Sequence, residues 1–363
     1  MTATEARKVA LVYLDRPSAR GGGVRVRSWR MTLEAAGIAV DEIAVPIKLT
    51  AMINPRELTK LLSIASGNTA LESIVWSRQD LRSALRSSNA DAAIFVTARL
   101  WDVALMTELP SILDFVDCLS KSYRDRSDHE PRLATKTLYR ILAWTTRRLE
   151  QNISHLSIQR VVAGWTERQV LLASWIPITT DLTRLDSKQP DHDAIFFGSL
   201  HYPPNIGALR FLASIWPEVQ RRRPGTTLLV AGATPTSEVR QLVTSAGWEL
   251  IEDFADIASL CNRARIAVAP LPFASGMQIK VLEAAALGLP QVVTPVAAAG
   301  LEPGFPVCQS ELSNFATDMI ELLDDEQEQR RLADAAYEMI ELRYRPAVCA
   351  NAVREFITGV AEP

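Results

Sequence analysis

The chain has 363 residues, 48% of them hydrophobic, and a formal net charge of −3, which allows a large core and two domains. Four separated cysteines (Cys118, Cys261, Cys308, Cys349) and four scattered histidines show no metal-ligand spacing, and no apolar run is long enough to span a bilayer. Residues 1–150 carry 22 Lys and Arg against 17 Asp and Glu, whereas residues 151–363 carry 17 against 25. The amino terminus enters a strand at once, leaving no room for a secretory signal, so a reduced cytoplasmic chain is expected. The basic first half suits an anionic acceptor or the inner face of a membrane, with ordinary solvated charge as the alternative. Nucleic acid is not expected, because no dense Lys/Arg stripe with interleaved aromatics occurs.

Strand–helix alternation runs along the chain in two series. Lys8–Leu14 reads as a strand, Asp15–Gly23 as a loop, Val24–Ala36 as a helix stopped by Gly37, and Ile38–Val45 as the next strand. The region 47–88 reads as mostly helical. Short buried runs follow at Ala92–Thr97, Ser111–Phe115 and Gln159–Ala163, with a helix over Leu133–Leu149. Pro177–Asp193 is polar, carries two prolines and lacks periodicity, so it is read as a linker. The second series has strands at Ala194–Phe197, Thr227–Val230, Trp248–Ile251, Arg265–Ala269 and Gln291–Thr294. Its helices are expected at Ile206–Arg222, Thr236–Ala246, Ile257–Arg263, Leu312–Leu323, Gln327–Leu342 and Pro346–Val360. The fold class is therefore α/β, with two Rossmann-like domains whose parallel sheets face a central cleft, the default ligand site. The first domain covers 1–178, with helix 346–363 packing back on it, and the second covers 179–345.

The segment Ser275–Ala284 carries the most information. It follows a buried strand, and Ser275 with Gln278 three residues on has the spacing of a capping box, so a helix is expected to start there. Its unpaired N–H groups and positive dipole end make an anion site. Gly276, Lys280, Glu283 and Leu287 recur at three- and four-residue spacing, so a cation and a carboxylate share one face. A phosphate at the cap with a ribose beside the carboxylate is the economical reading, against a solvated Glu283 that merely pairs with Lys280.

Other strand ends supply weaker candidates. Gly21, Gly22 and Gly23 open the first helix, where bare backbone can approach a phosphate and Arg25 can assist, or where they form only a flexible turn. The dinucleotide fingerprint G-x-G-x-x-G is absent, so no nicotinamide site is expected. Gly198, Ser199 and His201 occupy the equivalent loop of the second series, His201 being either a phosphate or sugar donor or an exposed loop residue. Asp117, in the run Asp114–Asp117 after a short strand, reads as a base or sugar-hydroxyl ligand, or as a helix N-cap. Asp191-His192-Asp193 imitates a metal-binding D-x-D but precedes a strand, the wrong end for a catalytic metal.

With these residues in place, the second half resembles the retaining GT-B glycosyltransferases of glycosyl transferases group 1, also called family 4. The run Pro270–Thr294 follows that group's "PL…G…K.LEA.A.G.PVV.T" block, and Phe196–Asn205 follows its "F.G.…Y.PN" opening. The clear similarity covers about residues 194–301. It implies that Glu283 binds the ribose hydroxyls of the nucleotide, that Gly276 and Met277 donate to the distal phosphate, and that Lys280 is a cation for the diphosphate. Ser275 stands where the family's first glutamate, the ligand of the donor sugar, is usual.

The implied activity is metal-independent transfer of a sugar from a nucleoside-diphosphate sugar, with UDP or GDP most in keeping, and no further cofactor. The implied acceptor is a carbohydrate, a lipid-linked molecule or a small molecule, and the setting a bacterial polysaccharide, glycolipid or natural product. Rivals are an epimerase or inverting transferase of the same shape, and a nucleotide-sugar-binding subunit without turnover.

Overall fold

The computed structural model describes residues 8–15, 20–46, 78–186, 189–254 and 256–361. Most of the expected helical region 47–88 lies outside them. The chain forms two compact units, residues 1–179 with 346–363 and residues 180–345.

In the first unit the order is β1 (Lys8–Asp15), α1 (Arg20–Ala35), β2 (Ala39–Pro46), α2 (Arg78–Ser88), β3 (Ala92–Val96) and α3 (Trp101–Ala104). Then come β4 (Ser111–Asp114), α4 (Leu119–His129), α5 (Leu133–Ser154), β5 (Gln159–Val162), α6 (Glu167–Leu171) and β6 (Ser174–Trp175). The strands form one parallel sheet in the order β2-β1-β3-β4-β5-β6. Its alternation is visible in β1. Val9 and Leu11 face Trp29 and Leu33 of α1, while Ala10 and Val12 face Leu81 and Leu85 of α2 and Phe95. Both faces are covered, which is why the strands read as nearly continuous apolar runs. The closing helix α14 (Pro346–Ala361) puts Ala350, Val353 and Ile357 into the α1 side of this core.

The second unit contains β7 (His192–Phe197), α7 (Pro203–Arg222), β8 (Leu228–Gly232), α8 (Ser237–Ala246), β9 (Glu249–Glu252), α9 (Ile257–Cys261) and β10 (Ala264–Ala269). It continues with α10 (Ile279–Ala286), β11 (Gln291–Val293), α11 (Pro295–Ala298), β12 (Cys308–Gln309), α12 (Phe315–Asp324) and α13 (Glu326–Arg343). Its sheet is also parallel, in the order β12-β11-β10-β7-β8-β9. The chain works outward from β7 to β9, then crosses back to lay β10 on the other side of β7. The carboxyl ends of β7 and β10 therefore flank the point where strand order reverses, the place where such sheets bind ligands.

The short edge strands β6 and β12 and the single-turn helix α11 were not expected. Each has two to four residues, too few to leave a periodic signal. The expected linker also departs from its reading at its start. Ile178, Thr179 and Thr180 are buried, and the Thr179 N–H donates to Ser28 Oγ at 2.8 Å. Asp191 and Asp193 make ordinary ion pairs with Arg263 and Arg223 at the amino end of the second sheet.

Candidate functional site

The sequence candidates of the second unit come together at that reversal point. Gly198 follows β7 with φ +146°, a conformation that L side chains rarely adopt. A Cβ there would stand 2.9 Å from Asn205 Nδ2 and 3.2 Å from Lys280 Nζ, so only a glycine lets both side chains approach the backbone at this point. Gly232 at the end of β8 has a matching role, because a Cβ on it would overlap the Gly198 carbonyl oxygen. Asn205, buried in the first turn of α7, ties the two strand ends together. Its Nδ2 donates to Ser199 O at 2.8 Å, and its Oδ1 accepts from Lys280 Nζ at 2.5 Å.

Lys280 thus has a neutral acceptor on one side and the Phe196 ring, 4.3 Å from Nζ to centroid, on the other. Burial pushes its pKa down to about 7, and the half-buried Glu283 one turn along α10 only partly restores the charged form.

The turn before α10 differs from the expected capping box. The helix starts at Ile279 with Gln278 in the N-cap position, and no side chain caps it. Gly276 has φ +67°, which a right-handed helix cannot contain, so Ser275–Gln278 is a turn and not the first helical turn. Gln278 Nε2 instead donates to the Ser275 carbonyl at 3.0 Å. Ser275 Oγ is buried with no hydrogen-bond partner. The Gly276–Met277 backbone is pressed against Gly300, where a Cβ would lie 2.4 Å from Gly276 O and 2.5 Å from Met277 Cα. The Val281 N–H already donates to the Gln278 carbonyl at 3.0 Å, while the first N–H groups of α10, at Ile279 and Lys280, carry the positive end of its dipole. Lys280 and Glu283 project from the same helix.

His201 is exposed on the loop after β7, and its Nδ1 meets Ser199 Oγ at 3.0 Å and Thr234 Oγ1 at 2.5 Å. Thr234, Asn205 and Gly300 were not among the sequence candidates. Asn205 was visible only as the start of a helix, Thr234 and Gly300 as loop residues, and long-range pairing gave them their places.

The first-unit candidates form a separate group with a different character. Gly21, Gly22 and Gly23 are not a loop before the helix, for α1 begins at Arg20 and they make up its first turn. Arg25 is not available to an anion. It is fully buried, its Nε donates to Asp114 Oδ2 at 2.6 Å, its Nη1 donates to Pro177 O at 2.9 Å, and its guanidinium lies over Trp29. Asp114 is equally buried and also accepts from Trp29 Nε1 at 2.6 Å and from the Val116 N–H.

Asp117 is half-buried in the loop beyond β4 and is not the N-cap of α4, a position held by Cys118. The opening of α4 is served by Glu150, which accepts from the Ser120 N–H at 3.1 Å and Ser120 Oγ at 2.5 Å. Burial raises the Glu150 pKa against the pull of those bonds, and it pushes the neighbouring Cys118 thiol up to about 12. Among the described residues no group of three or more His, Cys, Asp or Glu could hold a metal ion.

Residues 191–325 match the family model "Glycosyl transferases group 1". No match was found among curated proteins. Solved structures with the same fold include HepE of Anabaena in complex with UDP-glucose, 14% identical with TM-score 0.60, covering 96% of this chain and 99% of that one. WaaG, a glycosyltransferase involved in lipopolysaccharide biosynthesis, is 15% identical with TM-score 0.60, over 97% and 100%. TarM is 10% identical with TM-score 0.60 over 80% of this chain, which spans 60% of TarM.

Proposed function

We propose, from the match of residues 191–325 to the glycosyl transferases group 1 model and the GT-B fold of the chain, that the protein moves a sugar from a nucleoside-diphosphate sugar to an acceptor hydroxyl, with retention of anomeric configuration. The observation that carries this reading is Lys280. It is a partly buried amine beside the start of α10, packed close to the bare backbone of Gly198 and with a carboxylate one turn on. The diphosphate sits against the opening N–H groups of α10 and the Gly276–Met277 turn, with Lys280 neutralising it and Glu283 accepting from the ribose hydroxyls.

Charge that builds on the leaving phosphate is met by dipoles and an amine already in place, so transfer requires no metal ion. In a retaining transfer of this kind the acceptor oxygen attacks on the leaving-group face and its proton passes to the departing phosphate. No protein nucleophile is formed. His201 is our candidate donor to the sugar or phosphate, and Asp117 our candidate ligand for the acceptor hydroxyl. UDP is the first nucleotide to try, since HepE and the pneumococcal GtfA were captured with it. We place the enzyme in the cytoplasm, acting on a carbohydrate, lipid-linked or small-molecule acceptor.

Calorimetry with UDP and GDP, followed by NMR of the product anomer, tests the reading. Binding of neither nucleotide overturns the donor site, and an inverted product overturns retention. Turnover that survives a chelator is expected, and its loss would overturn the metal-free step. A second reading, a nucleotide-sugar-binding subunit without turnover, draws on Ser275 standing where the family's first glutamate is usual. It is separated by binding that gives neither transfer nor hydrolysis across a broad acceptor panel.

A further inference from the structure

Helix α5 has an unusual distribution of burial. Of its 22 residues only Leu149, Glu150 and Ile153 are buried, so from Leu133 to Arg148 no side chain is fully enclosed. The side that does pack carries Tyr139, stacked on Tyr123 of α4 at 6.4 Å between ring centroids. The other side exposes large apolar residues. Leu138, Ile141 and Trp144, three residues apart and so on one face, are 52%, 53% and 52% exposed, and Leu133 at the helix start is 77% exposed. Of the eleven exposed large hydrophobic residues among the described ones, these four fall on this single helix.

Cations border that face. Arg140, Arg147 and Arg148 are exposed, and the Arg148 guanidinium lies 4.3 Å over the Trp144 ring. The only carboxylate of α5, Glu150, is buried at its inner end and turned to Ser120. An amphipathic helix with an apolar stripe, a tryptophan in its midst and arginines alone on the flank is the chemistry that lies in the headgroup layer of an anionic bilayer. No helix of the described residues is long and apolar enough to cross a membrane, so the contact would be in the plane of the surface. A second copy of the chain fits poorly, because a two-fold contact through this face would bring together two surfaces that each carry three arginines and no exposed carboxylate of this helix.

We propose that the exposed face of α5 docks the protein on an anionic phospholipid surface. Trp144, Ile141 and Leu138 enter the headgroup boundary, and Arg140, Arg147 and Arg148 pair with lipid phosphates. Every residue involved lies in the first unit, so the proposal stands or falls apart from the donor site of the second.

The test is co-sedimentation of the full chain with vesicles of phosphatidylcholine alone and of phosphatidylcholine mixed with phosphatidylglycerol. Binding is expected to the mixed vesicles at low salt, and to weaken at least about tenfold in high salt or without the anionic lipid. Arg147→Glu with Arg148→Glu, and separately Ile141→Ser with Trp144→Ser, should each reduce vesicle binding at least about tenfold. All four side chains are exposed, so the melting temperature and UDP binding should be unchanged. Absence of binding to the mixed vesicles, or variants that bind as the parent does, would overturn the proposal. So would a concentration-dependent dimer that Ile141→Ser with Trp144→Ser abolishes while vesicles go unbound, since it would assign the face to a second copy.

Discussion

The two sheets place a cation near the carboxyl end of a central strand, and they treat it in opposite ways. In the first unit Arg25 meets a carboxylate, Asp114, along with a backbone carbonyl and an indole ring, and all of them are sealed from water. In the second unit Lys280 is hydrogen-bonded to the amide oxygen of Asn205 and lies over a phenylalanine ring, and its nearest named carboxylate, Glu283, only partly offsets its burial. A cation matched to an anion of its own fold is a structural element. A cation whose burial is only partly offset by a carboxylate has capacity left for a further anion. Topology alone therefore does not mark a ligand site. The balance of charge at the strand end does.

The largest expected effect breaks the first half of that contrast. Asp114→Ala leaves Arg25 buried and unpaired, which should cost about 3–5 kcal/mol of unfolding free energy in urea. A loss below about 1 kcal/mol would show that the pair is not holding the sheet to α1. Lys280→Met is the converse. It removes a cation that the fold does not need, so stability should hold or rise while nucleoside-diphosphate affinity drops by about 2–3 kcal/mol in calorimetry. A destabilised variant with unchanged affinity would place Lys280 with Arg25.

Acidity sharpens the same point. Below pH of about 7 Lys280 is charged with or without ligand, whereas above it the free protein must take up a proton to meet the diphosphate. Affinity should therefore fall as pH rises, by about tenfold per unit until the pKa of the complex is reached. The sign for stability is opposite. The depressed pKa makes the charged lysine a cost that is fully present below its folded value, and it is relieved as pH climbs toward the unfolded one. Affinity that is flat between pH of about 7 and 9 would remove the lysine from the phosphate. The smallest change is Glu283→Ala, about 1 kcal/mol of nucleotide affinity with the melting temperature unmoved.

What could be read from the chain follows the range of the interactions that fixed it. Strand–helix alternation and the two-unit order were legible because burial on both faces leaves runs such as Val9–Val12 and Ile266–Ala269 apolar throughout. Lys280 and Glu283 were legible because helical spacing puts them on one side of α10. The capping box at Ser275 was misread because a local signal competed with Gly276, whose left-handed backbone is fixed by a contact with Gly300. Arg25 was misread because its partner stands 89 positions away, and nothing near it in sequence shows that its charge is already spent. Asn205 and Thr234 acquire their contacts through partners on other elements, which no periodicity reports.

The amide of Asn205 has one more consequence. Burial lowers the pKa of the lysine that it accepts from to about 7, so the proposed capture of a diphosphate there should draw hydrogen ions out of solution near neutral pH. The heat released on ligand capture must then vary with the ionisation enthalpy of whatever buffer supplies them. A plot of one against the other would have a slope equal to the number taken up per molecule, a direct count of the protons that the lysine gains.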